Sequence, residues 1–220
     1  MITKFTNNIY TQRMVKALMF LLLSTSYTLV NRYVPHALDL VTPLDALIPQ
    51  WPWTVFIYHL WYPTLWYLIF ALRYDKDFDA LLEHLILTKL FCVLTFILVP
   101  TIVSVRTMTP GLTLAEKALN LTYTIDGPYC AFPSSHVALA TIAMYFALRH
   151  NHRSTRWIVF FQMCVILSTL TTKQHVIADV FGGAFYAMFV YYLLYKENLC
   201  LPLKKETIYK KQLTKVTSQL

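Results

Sequence analysis

The segment from Lys173 to Asp179 carries a cation, an imidazole and a carboxylate inside a long apolar stretch. His175 and Asp179 are four positions apart, so on a helix they share one face and the carboxylate can accept a hydrogen bond from the imidazole. That bond fixes the tautomer and raises the basicity of the other ring nitrogen, as a nucleophile or a general base needs. The same spacing also occurs in ordinary surface pairs, so this pair alone leaves both interpretations open.

A second histidine, His136, follows Phe132-Pro133-Ser134-Ser135 at the predicted start of an apolar helix. Proline and serine are favoured at helix starts. Exposed amides at such a start, together with the hydroxyls of Ser134 and Ser135, form a cradle for a phosphate group. The competing interpretation is that His136 only caps the helix.

The composition indicates a membrane protein. The 220-residue chain is 57% hydrophobic and 14% charged, with a mean hydropathy of +0.48, whereas a soluble domain has roughly 25% charged residues. The formal charge of +8 is spread over short basic clusters between apolar runs, which favours anionic lipid headgroups over nucleic acid as partners. The four cysteines show no disulfide framework or zinc spacing, and no cofactor or metal is predicted.

Six apolar runs predict an all-α bundle of six membrane-spanning helices, with the whole chain forming one domain. The runs cover about 14–30, 53–72, 84–105, 135–148, 157–171 and 176–195. Capping-box spacing from Thr113 to Glu116 predicts a short interfacial helix that ends near Leu119. Lys89, inside the third run, is expected to snorkel toward one end of it.

The distribution of lysine and arginine predicts how these helices are oriented. If the N-terminus is cytoplasmic, the inner segments, including a basic tail at 196–220, hold fourteen of these residues, and the outer segments hold four: Arg32, Arg106, Lys117 and Lys173. The positive-inside rule then places both termini in the cytoplasm. It places Arg106, His136 and the segment from Lys173 to Asp179 at one outer interface, which faces the periplasm of a bacterial inner (plasma) membrane or a lumen.

The two histidine motifs resemble those of a known protein family. Pro133-Ser134-Ser135-His136, followed on the next outer turn by His175-x-x-x-Asp179, is similar to the type 2 phosphatidic acid phosphatase (PAP2) superfamily of six-span lipid phosphatases. Phe-Pro-Ser-x-His and Thr172-Lys173-Gln174-His175 most resemble its branch related to inositol phosphorylceramide synthases. The resemblance covers roughly 99–195, and it implies a PAP2-like membrane fold.

The resemblance also implies a role for each residue. His175 would be the nucleophile that forms a phosphohistidine, Asp179 its orienting partner, and His136 the acid that protonates the leaving oxygen. The phosphoryl oxygens would be bound by Ser134, Ser135, Arg106 and Lys173.

Two parts of the chain depart from the usual family pattern. The first family motif usually has Lys, six residues, then Arg-Pro, whereas here Val99 occupies the lysine position and Thr107 follows Arg106. The third motif usually opens with Ser-Arg, and here it reads Ser168-Thr169. Lys173 is therefore expected to supply the charge of the missing arginine.

Phosphoryl transfer without a metal requires a nucleophile, a proton donor opposite it, and fixed cations and amides around the phosphoryl oxygens. The predicted function is hydrolysis of a lipid phosphate monoester or diphosphate in the bilayer. The alternative is a phosphotransferase that uses an alcohol as the acceptor. A transporter or an inactive lipid-binding protein is a third class, which the intact histidines and the absence of paired, broken spans disfavour.

Overall fold

The computed structural model describes residues 9–31, 37–71, 75–149 and 154–199, and this part of the chain is mostly helical. Its helices are α1 (Ile9–Val30), α2 (Pro43–Leu47), α3 (Val55–His59), α4 (Trp61–Ala71), α5 (Asp75–Leu98), α6 (Leu114–Ile125), α7 (Ser135–Arg149), α8 (Thr155–Thr171) and α9 (Ile177–Leu199). A 3₁₀ turn, Pro52–Thr54, precedes α3, and the two-residue strands β1 (Leu38–Asp39) and β2 (Thr101–Ile102) pair in parallel.

Helix α7 lies at the centre of the bundle and packs against α5, α8 and α9. Nine of its fifteen residues are buried, four of them alanines, and such small side chains let neighbouring helices approach closely. Leu139 and Phe146 of α7 share one apolar core with Leu85 of α5 and Val165 of α8. The candidate site is built at the first turn of this central helix, where its position is fixed by packing on three sides.

The outer faces of the described helices are strongly apolar. Phe181 is 72% exposed, and the side chains that follow it at helical spacing on α9 are exposed as well: Phe185, Met188, Phe189 and Tyr192. Soluble monomers rarely expose contiguous apolar surfaces of this kind. Within the described ranges, Phe78–Leu98 and Ile177–Leu194 are also long and apolar enough to cross a membrane. These features suggest a membrane protein.

The remaining predicted spans agree with the structure to different degrees. The fourth and fifth runs correspond to α7 and α8, with ends within two residues of the prediction. These helices have only 15 and 17 residues, fewer than the ~20 that usually cross a bilayer. The second run is divided into the 3₁₀ turn, α3 and α4. The third ends at Leu98, seven residues early. Six spans therefore stay a prediction.

The predicted short helix and its capping box are confirmed by α6, and its position at the membrane interface stays a prediction. The amide of Glu116 donates to Thr113 Oγ1 at 3.2 Å, and the amide of Thr113 donates to Glu116 Oε2 at 3.1 Å. The helix continues to Ile125, beyond its predicted end. Several basic positions used for the orientation lie outside the described residues: Lys4, Arg32, Arg73, Arg153 and the tail from residue 200 onward.

Candidate active site

A buried threonine fixes the loop that leads into α7. Thr101 Oγ1 accepts hydrogen bonds from the amides of Ala131 at 3.1 Å and Phe132 at 2.8 Å, while the Thr101 carbonyl accepts from the amide of Cys130 at 2.9 Å. The Phe132–Pro133 peptide bond is cis. Three consecutive amides are thus held by one residue at β2, so the direction from which the chain enters α7 is determined.

The start of α9 packs directly on the start of α7. The amide of Ser134 donates to the carbonyl of Asp179 at 3.0 Å, and Ser134 Oγ accepts from the amide of Val137 at 3.3 Å, so Ser134 caps α7. A Cβ atom added to Gly183 would lie 2.4 Å from the Ser134 carbonyl oxygen. Glycine at this position therefore permits the close backbone approach that joins the two histidine motifs.

This approach brings the two predicted histidines together. The ring centroids of His136 and His175 lie 5.8 Å apart, with an angle of 58° between the ring planes. They come from elements separated by all of α8 in sequence, so their proximity is a property of the tertiary fold.

His175 is paired with Asp179 as the spacing predicts, but in a different local geometry. His175 Nδ1 lies 3.3 Å from Asp179 Oδ2, which also accepts from the amide of Val176 at 2.9 Å. The expectation of a shared helix face is wrong, because α9 begins only at Ile177 and His175 lies in the preceding turn. The carboxylate reaches back from the first turn of the helix and contacts Nδ1, so the Nε2 atom of His175 takes no part in this contact.

His136 is linked to a second carboxylate through a tyrosine. Tyr58 OH lies 3.3 Å from His136 Nδ1 and donates to Asp126 Oδ2 at 3.4 Å, while Tyr27 OH donates to Asp126 Oδ1 at 2.5 Å. A consistent arrangement has His136 Nδ1–H donating to Tyr58, whose hydroxyl donates to Asp126. Trp61 packs edge-on against the His136 ring at 5.6 Å between centroids. Sequence reasoning assigned no role to Asp126 or Tyr58.

Arg106 joins the segments that carry these two assemblies. Its Nη1 donates to the carbonyl of Asp126 at 2.7 Å, and its Nε and Nη2 donate to the carbonyls of Lys173 at 3.2 Å and Gln174 at 3.1 Å. The guanidinium also lies over the ring of Tyr123 at 5.4 Å. Arg106 is thus next to both motifs, with three of its N–H groups on backbone carbonyls, and its binding of phosphate stays a prediction.

Lys173 lies in the turn before His175 with a positive φ of 53°, and its ammonium contacts α2. Nζ donates to the carbonyls of Asp45 at 2.7 Å and Ile48 at 2.5 Å. Burial lowers the pKa of Lys173, an effect that the charge of Asp45 partly offsets. Two of its three hydrogens are engaged by carbonyls, so the geometry supplies no support for Lys173 as the substitute for the missing arginine.

A match to a family model accompanies this geometry. The PAP2 superfamily model matches residues 37–193, about 71% of the 220-residue chain. The chain belongs to the PAP2 superfamily. No curated protein and no solved structure matches it. Membership supports a phosphatase-type function on lipid phosphates, and the family match includes both histidine motifs.

One cation in the PAP2 domain was misjudged from the sequence. Lys89 does not snorkel to an end of its helix; it is 6% exposed, and its Nζ donates to Ser135 Oγ at 3.2 Å. It also lies over the Tyr27 ring at 5.3 Å from the centroid. The signal that could have found it is general, since an ionisable residue inside an apolar span is a functional candidate by default.

A large cavity of about 1300 Å³ opens beside His136. Its polar lining includes Lys89, Asp126, Ser135 and His136, and the rest is mainly apolar side chains from α1, α3, α4, α6 and α7. Of the two candidate catalytic histidines, only His136 is among the lining residues. A ligand in this cavity would therefore meet the predicted proton donor first.

Proposed function

We propose that this PAP2 protein is a membrane lipid phosphatase that cleaves a lipid phosphate monoester or diphosphate through a phosphohistidine at His175. The observation that carries the proposal is the 5.8 Å separation of the His136 and His175 rings, each ring linked to its own carboxylate. A nucleophile and a proton donor on opposite sides of one phosphoryl group need this arrangement of two imidazoles with separate partners.

The reaction proceeds in two steps. His175 Nε2 attacks the phosphorus atom, the bond from phosphorus to the lipid oxygen breaks, and protonated His136 gives its proton to that oxygen. Water then attacks the phosphohistidine while His136 takes a proton from the water, which releases inorganic phosphate and restores both rings. Asp179 holds His175 in the reactive tautomer throughout.

The phosphoryl oxygens gather negative charge, and the start of α7 is suited to stabilise it. Within the described part of the chain no acceptor faces the amides of Ser135 and His136 at this helix start, and such amides favour anions. Ser134 supports them by capping the helix. Binding by the Ser135 hydroxyl and by Arg106 completes the proposed phosphate site, with Lys173 holding the turn in place.

The protein is proposed to be a six-span membrane protein with one PAP2-like domain over residues 1–220. The exposed apolar faces of α8 and α9 support contact with lipid, and the bias of lysine and arginine supports cytoplasmic termini with the site at the outer face. Phosphorylated lipids would then be met in the leaflet that faces the periplasm or a lumen.

The second candidate is a lipid phosphotransferase, as in the branch related to inositol phosphorylceramide synthases. It shares the first step, and an alcohol replaces water in the second. The observation that favours it is the mainly apolar cavity beside His136, because a site with little water favours a competing alcohol acceptor.

Purified protein and its His175→Asn variant, in detergent with a chelator present, should be incubated with a panel of phosphorylated lipids while phosphate release is measured. Wild-type release that the variant lacks, with an acid-labile phosphoenzyme, is the expected result. Full activity of the variant, or a strict need for a divalent metal, would contradict it. Headgroup transfer to an added alcohol without phosphate release would favour the transferase. No turnover of either kind would favour a non-catalytic lipid-binding protein.

A further inference from the structure

We propose that the cavity beside α1, α4 and α6 binds the hydrocarbon chain of the substrate, and that Lys89 binds its phosphate at the polar end. This inference rests on the proposed function. It adds a binding site for the hydrocarbon chain of the lipid and a phosphate-binding cation that lies in neither histidine motif. The proposed ligand is a lipid phosphate monoester with a long hydrocarbon chain.

The cavity has the size and lining for a hydrocarbon chain. At about 1300 Å³ it is larger than the roughly 300–1,000 Å³ of usual small-molecule sites. Its apolar lining includes five leucines from four helices: Leu18, Leu21, Leu65, Leu121 and Leu139. The exposed fractions of Leu18 and Leu121 are 55% and 60%, so the cavity reaches the apolar exterior of the protein. A chain in the bilayer can enter sideways from there.

The polar end of the cavity contains a buried cation that forms no ion pair with the described residues. Lys89 is buried, its ammonium has one hydrogen-bond partner, Ser135 Oγ, and no carboxylate within ion-pair distance among the described residues. The Tyr27 ring supplies only a cation–π contact. Burying a cation in this way is costly unless an anion accompanies it. A phosphate at this position accepts the remaining ammonium hydrogens.

The other charged groups near the site are already engaged. Arg106 uses three N–H groups and Lys173 uses two hydrogens on backbone carbonyls. Asp126, the carboxylate at the same end of the cavity, accepts from the hydroxyls of Tyr27 and Tyr58, which reduces its repulsion of a phosphate. Lys89 therefore has donors free for a ligand, and it contacts the serine that precedes His136.

The test measures binding apart from turnover. The parent protein is the His175→Asn variant, and its binding of hexadecyl phosphate, hexadecanol and methyl phosphate should be measured. The same three ligands should then be tested on double variants that carry one further substitution: Lys89→Met, Lys89→Arg, Ala17→Trp or Lys117→Met. Ala17 lines the cavity, and Lys117 is an exposed lysine on α6 that serves as the matched control. Hydrolysis of hexadecyl phosphate is measured separately in the protein that keeps His175.

Lys89→Met is expected to weaken hexadecyl phosphate binding tenfold or more and to leave hexadecanol binding unchanged, with partial recovery in Lys89→Arg. Ala17→Trp should weaken binding of both long-chain probes and spare methyl phosphate, and Lys117→Met should change none of them. Equal binding of hexadecyl phosphate by the parent and Lys89→Met would overturn the role of Lys89. Equal binding of both long-chain probes by the parent and Ala17→Trp would overturn the chain site.

Two further measurements keep the test decisive. Because Lys89 is buried without an ion pair among the described residues, Lys89→Met should melt at a higher temperature than its parent without ligand, and a lower melting temperature would contradict a costly buried charge. If Ala17→Trp does not fold, Ser24→Leu in the same cavity replaces it. If Lys89→Met loses hexadecyl phosphate binding but the wild type does not hydrolyse this lipid, the binding site is supported and the phosphatase function is rejected. If the wild type hydrolyses the lipid but Lys89→Met binds it as well as the parent does, the phosphatase function is supported and the role of Lys89 is rejected.

Discussion

The two histidines of the site are held in contrasting ways. His175 contacts a carboxylate four residues ahead of it, at the first turn of the helix that follows. His136 reaches a carboxylate through Tyr58, and that carboxylate, Asp126, lies at the end of a different helix. The surroundings of His175, the proposed nucleophile, are thus assembled locally, and those of His136, the proposed acid, are assembled by the packing of distant segments.

The contrast agrees with the different tasks proposed for the two rings. A nucleophile needs one fixed tautomer, which a direct carboxylate contact provides. An acid that later acts as a base has to change its protonation state, and a hydroxyl between ring and carboxylate gives a softer coupling than a direct ion pair. Substitutions on each side of the site test this division of roles.

Removing each ring should separate the two roles. His175→Asn is expected to lower turnover at least ~10⁴-fold for every phosphate ester, because the attacking nitrogen is gone. His136→Ala should slow phosphoenzyme formation from alkyl phosphates by about 10²–10⁴-fold while largely sparing its formation from nitrophenyl phosphate, whose leaving oxygen needs no proton. Because His136 also acts as the base in the second step, the rate of the first step is measured by rapid mixing on the two substrates. Equal losses in that step on both substrates would reject its role as the acid.

Asp179→Asn should weaken the local assembly without dismantling it. The amide oxygen of asparagine can still accept from the amide of Val176, so the turn is retained, but the negative charge beside His175 is lost. A fall in turnover of about 10²–10³-fold with a small change in KM is expected. The rate of phosphoenzyme formation in a rapid-mixing experiment measures it, and an unchanged rate would contradict the pairing.

Tyr58→Phe and Asp126→Asn should each have a smaller effect, about tenfold on the turnover of alkyl phosphates, because they act on His136 through a relay. The double variant should lose no more than the larger single variant, since residues of one network are not additive. Turnover of the two single variants and the double variant measures the coupling. Fully multiplicative losses would show that Tyr58 and Asp126 act independently.

Gly183→Ala should push apart the starts of α7 and α9, which carry the two histidine motifs. Its added Cβ meets the Ser134 carbonyl oxygen at 2.4 Å, and the backbone there has to move, at a cost of about 1–3 kcal/mol. A lower melting temperature and a several-fold loss of turnover are expected. Gly182→Ala is the matched control, because its Cβ meets the ring of Phe132, a side chain that can turn aside. A larger loss in the control would contradict this account.

Asp45, which accepts a hydrogen bond from the start of α9 and lies beside Lys173, should give the smallest effect when it is substituted. The effect should be visible in the pH dependence of stability. Burial raises the pKa of Asp45, but hydrogen bonds from Thr42 and from the amide of Ile177, with the charge of Lys173, outweigh it and lower the pKa below 3.8. The stability that Asp45 contributes is therefore present above pH 3.8 and lost as the pH falls through the lowered value. The melting temperatures of wild type and Asp45→Asn should converge there. A difference that grows on acidification would contradict this.

The same contrast explains which parts of the site the sequence could predict. His175 and Asp179 are neighbours in the chain, and the start of α7 is a local motif, so both were found from spacing and residue type. Tyr58 lies 78 positions from His136, and no local pattern marks that contact. Lys89 was missed because its apolar surroundings look the same in sequence whether a lysine faces a helix end or a buried cavity.

The helices show a similar division. The ends of α7 and α8 follow the apolar runs closely, because polar segments bound these runs on both sides. The third run continues past Pro100, but the helix ends at Leu98 although most of the following side chains stay apolar. Thr101 and Ile102 then form β2, which pairs with β1. Hydrophobicity alone does not distinguish an apolar helix from an apolar strand that follows it.

Arg106 connects the two parts of this site by hydrogen bonds. One planar, rigid group donates to the carbonyl of Asp126, the carboxylate residue linked to His136, and to the carbonyls of Lys173 and Gln174, which precede His175. A guanidinium has no internal torsions to absorb relative movement, so thermal displacements of the two halves should be correlated. The gap between the catalytic rings would then fluctuate less than the position of either ring.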